Sequence, residues 1–306
     1  MILKQVTRLS AVLFALFLLA SSAFAQEVEF PLVQSMVYFP YSDNSQLEKG
    51  DYSLGMDLYY SNVYMFNHYR TIINDFEMFS GTLRFRYGLS DRLGLNLEVY
   101  CRWSTIFGGF LDRGVERFHD FLGLPHNSRD EFPRYSVNYR YKDYFYHRSG
   151  KSALSPLTAA LFKTLYVSDR FSLKTRVSVG IPLSDITGLS SSKPFFTGGV
   201  IIDYKKDRFS LDFSNYLAFT GTPGWLDGEP LRKLVFFSRL ELLWKRFIGG
   251  ISFRTSPFKG DDTAHPAYQF YLGYRVSRVL DVIILEDLGP FDTTPDVGFN
   301  LRIKIL

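Results

Sequence analysis

Glu116 and His119 stand three residues apart, with Asp120 beside them and Arg129 close behind. On one helical face, a carboxylate and an imidazole at that spacing could exchange a proton or offer two ligands to a metal. One such cluster supplies too few ligands for a closed metal centre, so no metal is expected. The same residues suit the wet side of a plug or lid helix. Other charged residues recur two or four positions apart: Arg84 and Arg86, Glu98 and Arg102, Lys174 and Arg176, Arg239 and Glu241, Arg302 and Lys304. Asp57, Asp203, Asp212, Arg254, Arg275 and Asp296 fall on the corresponding face of their own segments. If that face is a shared interior, ten bases against six acids would favour small anions. Interdigitated Arg–carboxylate pairs could equally fill the interior without passing anything, and the sequence leaves both readings open.

What positions these charges is a period of two. Leu93, Leu95, Leu97, Val99, Cys101 and Trp103 fall on one face, against Asn96, Glu98, Tyr100 and Arg102 on the other. Segments of about ten residues with this alternation are joined on one side by near-identical short turns. These read Ser90-Asp91-Arg92, Ser168-Asp169-Arg170 and Lys206-Asp207-Arg208, with looser versions at Trp244-Lys245-Arg246 and Ser277-Arg278. The pattern predicts twelve strands, at 51–63, 76–89, 93–103, 155–167, 171–181, 195–204, 209–219, 232–243, 247–256, 266–276, 279–287 and 296–306. Closing the 90–92 turn with Leu89 facing Leu93 sets Arg84 opposite Glu98. Lys163 falls on the apolar side in one register, where it would have to snorkel.

Short turns on one edge and long loops on the other specify an all-β fold, a transmembrane antiparallel up-and-down β-barrel. A soluble sandwich has no reason to segregate its connections in this way. Composition agrees: 30 Phe and 20 Tyr are an excess that aromatic girdles at membrane interfaces would use. Lys4 and Arg8, the apolar run Ala11 to Ala20 and Ala23-Phe24-Ala25 form a signal-peptide pattern over residues 1–25, with cleavage near Ala25. Residues 26–50 are then a periplasmic N-terminal segment and 51–306 the barrel. The expected location is the Gram-negative outer membrane after Sec-type export, with barrel-assembly machinery and outer-membrane lipid as partners. Net charge is +4 before Lys4 and Arg8 are removed, too little to suggest nucleic acid. Cys101, the single cysteine, reads as a small apolar residue facing lipid. No cofactor motif is visible.

The outer loops fall at 64–75, 104–154, 182–194, 220–231, 257–265 and 288–294, and hold all five histidines, His68, His119, His126, His147 and His265. Loop 104–154 is far longer than a connection needs, which points to local structure and function. Asp112 can cap a helix running to Leu122 and ended by Gly123 and Pro125. Tyr135, Val137, Tyr139 and Tyr141 alternate with Arg134, Asn138 and Arg140, an extra strand that rises above the membrane or crosses the barrel mouth. Pairing it with 142–148 would raise the count to fourteen; twelve is the expectation.

His126-x-Ser128 resembles a fragment of the outer-membrane phospholipase A pattern. That resemblance implies Ser128 as nucleophile, His126 as base and Asn138 as the residue orienting the imidazole. The surrounding Asn-Gly context of that family is missing and the Asn spacing differs. The run Glu116-x-x-His119-Asp120-Phe121-x-Gly123-Leu124-Pro125, followed by Arg129, and the final Pro295-Asp296-Val297-x-Phe299 resemble an uncharacterised family of proteobacterial outer-membrane proteins. It implies a barrel and carries no activity. The reading is therefore a non-enzymatic twelve-stranded barrel passing or binding a small polar or anionic solute, gated or plugged by loop 104–154. A lipid hydrolase and a structural or adhesive barrel are the alternatives.

Overall fold

The structure, a computed structural model, describes residue 36 and residues 47–305, apart from 67, 68, 70, 110–113, 115, 116, 118, 119, 121–134, 192, 260–265 and 288–296. Alternation in sequence becomes alternation in burial. Along β3 (Leu95–Phe107) inward residues are buried and outward ones half-exposed at every step. The strands β1 (Tyr52–Phe66), β2 (Ile72–Ser90), β3, β7 (Leu157–Val167), β8 (Phe171–Ile181), β9 (Phe195–Lys206), β10 (Phe209–Phe219), β11 (Leu234–Trp244), β12 (Phe247–Arg254), β13 (Ala267–Arg275), β14 (Leu280–Asp287) and β15 (Val297–Lys304) each pair antiparallel with the next. β15 returns to β1, with Asp57 opposite Arg302, so the twelve strands close into a barrel without a free edge.

The outward face is predominantly apolar. Leu83, Phe85, Leu161, Val177, Val200, Leu217, Leu272 and Ile284 are all exposed. In water such a continuous belt would drive association, whereas acyl chains solvate it. Aromatic pairs mark its two rims. Near the short turns Tyr52 stacks with Phe85, Tyr166 packs with Phe171 and Trp244 stacks with Phe247. Near the long loops Phe236 and Phe253, then Phe253 and Tyr268, form the second rim. Phe209 and Phe219 lie on the same outward face at opposite ends of β10; their separation is roughly 33 Å along the strand, or about 25 Å once tilted, the height of an apolar membrane band. Lys163 points outward but sits opposite Leu95, next to the turn edge, where its amine has a short path to water. Cys101 is half-exposed on the outward face.

Two local features shift the predicted registers. The first hairpin turns through Asp91–Gly94, with Gly94 at φ +58°, and β2 is bulged between Gly88 and Ser90. The extra residues move Glu98 opposite Arg86, and Arg84 opposite Tyr100, so the expected Arg84–Glu98 pair is two positions out. Because the error is even, all four side chains still face inward. The second feature is Pro156, which cannot donate to a ladder. It separates β6 (Lys151–Leu154) from β7, and the pairing to β3 slips by one residue between them. The predicted strand at 155–167 is thereby extended back to Lys151.

Within the long insertion, β4 (Asn138–Tyr141) and β5 (Phe145–His147) form a hairpin around Lys142–Tyr144, with Lys142 at φ 46°. β4 adds to Ile72–Asp75 at the loop-side end of β2, where β3 has already ended. The hairpin therefore branches from the ring, and the count stays at twelve. Of the predicted 112–122 helix, Gly114, Arg117 and Asp120 are helical and exposed; its other positions lie outside the described residues.

Candidate functional site

The interior divides into two zones. Towards the short turns, inward charges are buried and paired across neighbouring strands and beyond. Arg84 Nη2 donates to Asp57 Oδ2 at 2.6 Å, and Lys174 Nζ to Asp203 Oδ2 at 2.6 Å. Arg239 lies 3.1 Å from Asp212, and Arg275 holds Asp281 through two hydrogen bonds of 2.8 and 3.0 Å. Glu98 sits between Arg86 at 3.8 Å and Arg176 at 3.3 Å. Arg302 on β15 reaches Glu241 on β11 at 2.9 Å, passing three intervening strands, and Tyr271 on β13 donates to the same carboxylate at 3.0 Å. A pair that long in the ring spans the lumen rather than the wall. Removing one partner would leave a buried charge uncompensated, so the pairs are interdependent.

Aromatic rings complete this belt. The Arg176 guanidinium lies 5.3–5.6 Å from the centroids of Phe162, Tyr100 and Tyr216, and Arg302 sits 5.8 Å from Tyr271. Two of these rings lie against a glycine directly opposite on the adjacent strand: Tyr216 over Gly199 and Tyr271 over Gly250. A Cβ at either glycine would come within about 2 Å of the ring, at 2.1 and 2.0 Å. The glycines let the rings lie along the wall and hold the arginines between them.

Towards the long loops the lumen is mostly apolar, with Arg254 and Gln269 buried among the apolar groups, and it is capped. Phe76, Met78, Ile106, Phe195, Val235, Phe237 and Leu285 line it, and Met36 is buried in the same cluster. The β4–β5 hairpin crosses this end. Tyr139, fully buried, packs against Phe76, Phe145 and His147 and donates its hydroxyl to Gly188 O at 2.6 Å. His147 Nε2 hydrogen-bonds Thr187 O at 2.9 Å. Tyr141 Oη and Lys142 Nζ both donate to Glu229 Oε1, at 2.9 and 2.7 Å, and Tyr141 packs on Phe258. Phe145 meets Trp225 edge-on, and Trp225 Nε1 donates to Ser190 O. These partners sit on the loops after β8, β10 and β12, and β10 stands nearly opposite β2 in the ring. The hairpin is thus a lid rooted on one wall and latched to the other.

Of the predicted lumen charges, Arg84, Arg86, Glu98, Arg102, Lys174, Arg176, Arg239, Glu241, Arg254 and Arg302 are buried inside the barrel. Asp212 is partly covered, Arg275 sits half-buried near the rim, and Lys304 is exposed there. Lys304 joins Arg84, Arg86, Arg278 and Arg302 around a small recess of about 60 Å³ that opens at the turn edge. Tyr100 faces inward as its strand's alternation predicts, whereas Asp281, Tyr216 and Tyr271 escape the sequence reading. Parity counted onward from the 277–278 turn finds Asp281. Glu229 and Tyr139 also belong to the site, through contacts that no local pattern announces.

The loop candidates are mostly beyond view. Glu116, His119, His126, Ser128, Arg129 and Asp296 lie outside the described residues. Asp120 is exposed. Asn138 uses its amide on Asp75 at 3.0 Å and Ser136 at 2.8 Å, and its oxygen accepts from Tyr146 at 3.1 Å. In the described part of the chain it anchors the lid to β2.

A family model described as "Protein of unknown function (DUF3187)" matches residues 17–233. The chain belongs to this family. No curated protein matches the sequence. Among solved structures, this DUF3187 chain is similar to the COG4313 outer membrane channel from Pseudomonas putida F1, with 12% identity over 87% of this chain and 98% of that one and a TM-score of 0.52. That likeness shows the fold, an outer-membrane type of barrel. It is also similar to Acinetobacter baumannii Omp33 (11% identity, 85% and 100% covered, TM-score 0.38) and to Escherichia coli outer membrane phospholipase A (10%, 90% and 98%, 0.39).

Proposed function

We propose that this chain is an outer-membrane channel or binding barrel for a small anionic solute, gated by the β4–β5 lid. The observation that carries the reading is the lid itself: a hairpin latched across the mouth above a belt of buried arginines. A structural barrel could fill its lumen with greater economy, since burying a charge costs free energy that an apolar side chain does not. An anion entering the belt can take the place of a carboxylate beside an arginine, as Glu241 stands beside Arg302, and exchange along the row of guanidinium groups. The lid controls access and the belt chooses the charge.

Vesicles carrying the full chain test this with two solutes of matched size, gluconate and sorbitol. Isotonic swelling in gluconate is expected to be the faster; equal rates, or faster entry of sorbitol, would reject the anion reading.

A further inference from the structure

At the turn edge, beyond the paired belt, sits a second basic cluster. The turns joining β9 to β10 and β11 to β12 have the same form, with Asp207 at φ 53° and Lys245 at φ 57°, and each is followed by an arginine. Lys245 N donates to Arg208 O at 2.7 Å, and Arg275 N to Arg246 O at 2.7 Å, which ties these turns to each other and to β13. Between them lies a notch of about 660 Å³ whose walls carry Lys205, Arg208, Lys245 and Arg246. Its acid is Asp207 alone. Whereas Arg84, Lys174, Arg176, Arg239 and Arg302 are matched with carboxylates, the side chains of Lys205, Arg208 and Arg246 meet no carboxylate among the described residues. The floor is aromatic: Phe209, Phe247 and Tyr274 line it, with Phe247 and Tyr274 in edge contact at 5.5 Å. These rings continue into the lipid-facing belt.

We propose that this notch holds the phosphate headgroup of an anionic phospholipid in the leaflet that the short turns face. The bases supply charge-assisted donors to phosphate oxygens. The rings below supply an apolar path for acyl chains, which a free anion in water would not use. Lys205, Ser210 and Leu243 bring the notch up to the barrel rim, but Arg208, Arg246 and the rings lie outside the lumen face, so solute passage should not depend on those two arginines.

Native mass spectrometry of the full chain in detergent tests the proposal, with phosphatidylglycerol, phosphatidylcholine of the same acyl chains, and inorganic phosphate as probes. The wild type should retain phosphatidylglycerol about tenfold more tightly than phosphatidylcholine, a difference of about 1.4 kcal/mol. Lys205→Gln, Arg208→Gln, Lys245→Gln and Arg246→Gln together should erase that preference. A control set on other turns, Arg92→Gln, Arg170→Gln and Arg278→Gln, should keep it, and Arg208→Gln with Arg246→Gln should leave vesicle swelling at the wild-type rate. Heat-dependent gel mobility verifies that each barrel is folded; if the fourfold variant is not, Arg208→Gln with Arg246→Gln should still weaken retention about threefold. Equal retention of the two lipids, equal loss in the control set, no change in the double variant, or displacement of phosphatidylglycerol by inorganic phosphate at matched concentration would each overturn the proposal.

Discussion

The two ends of the lumen are filled in opposite ways. At the loop end, rings and aliphatic side chains from the hairpin pack against the wall, with polar contacts at its root around Asn138 and at the latch. At the turn end, charged groups alternate with aromatic rings, and most of the charges are held by a carboxylate or base across the lumen face. Apolar packing has no direction and is lost together when a segment lifts away, which suits a lid. Ion pairs are directional and tolerate exchange of one anion for another, which suits a selective belt. On the proposed function, opening and choosing would rest on separate residues, so each should be breakable alone.

Tyr139→Ala should have the largest effect, because it removes a fully buried ring at the centre of the lid and leaves a cavity. The cost is about 4 kcal/mol of lid packing. Trypsin should then cut at Arg140 or Lys142 in a barrel that is still folded by gel mobility; an uncut hairpin would mean that the lid is held by something else. Arg302→Gln strikes the other zone. It strands Glu241 across the lumen and should cost about 3 kcal/mol, read as a lower urea midpoint in vesicles with the hairpin still protected from trypsin. If trypsin sensitivity rises as well, the two ends are coupled and the comparison fails. Gly250→Ala pushes a methyl into the Tyr271 ring and should cost about 2 kcal/mol; adding Tyr271→Ala should make the second change far cheaper than it is alone. Smallest is Glu229→Gln, which weakens the Lys142 latch by about 1 kcal/mol and should raise hairpin cleavage only severalfold.

The strands were legible because alternation survives any local accident: β8 and β10 occupy the predicted spans, and the inward arginines face inward. Register was less so, since the bulge at Gly88–Ser90 and the Pro156 break each shift the pairing by one residue, which the pattern of a single strand does not announce. The extra strand around Asn138 was visible from its tyrosine alternation, and so was its option of crossing the mouth. Its latches were not. Glu229 lies 88 residues from Tyr141, and nothing in a loop's own sequence names a partner that far away. Likewise the pairing of Arg302 with Glu241 depends on lumen width, a property of the closed ring.

Single-channel recording across a salt gradient probes the central claim most directly, comparing the wild type with a variant in which a short Gly-Ser link replaces residues 136–148. Rare openings in the wild type, sustained conductance in the variant and a reversal potential of the anion-selective sign are the predicted result. A folded variant that stays silent, or one that conducts with cation preference, would contradict the account.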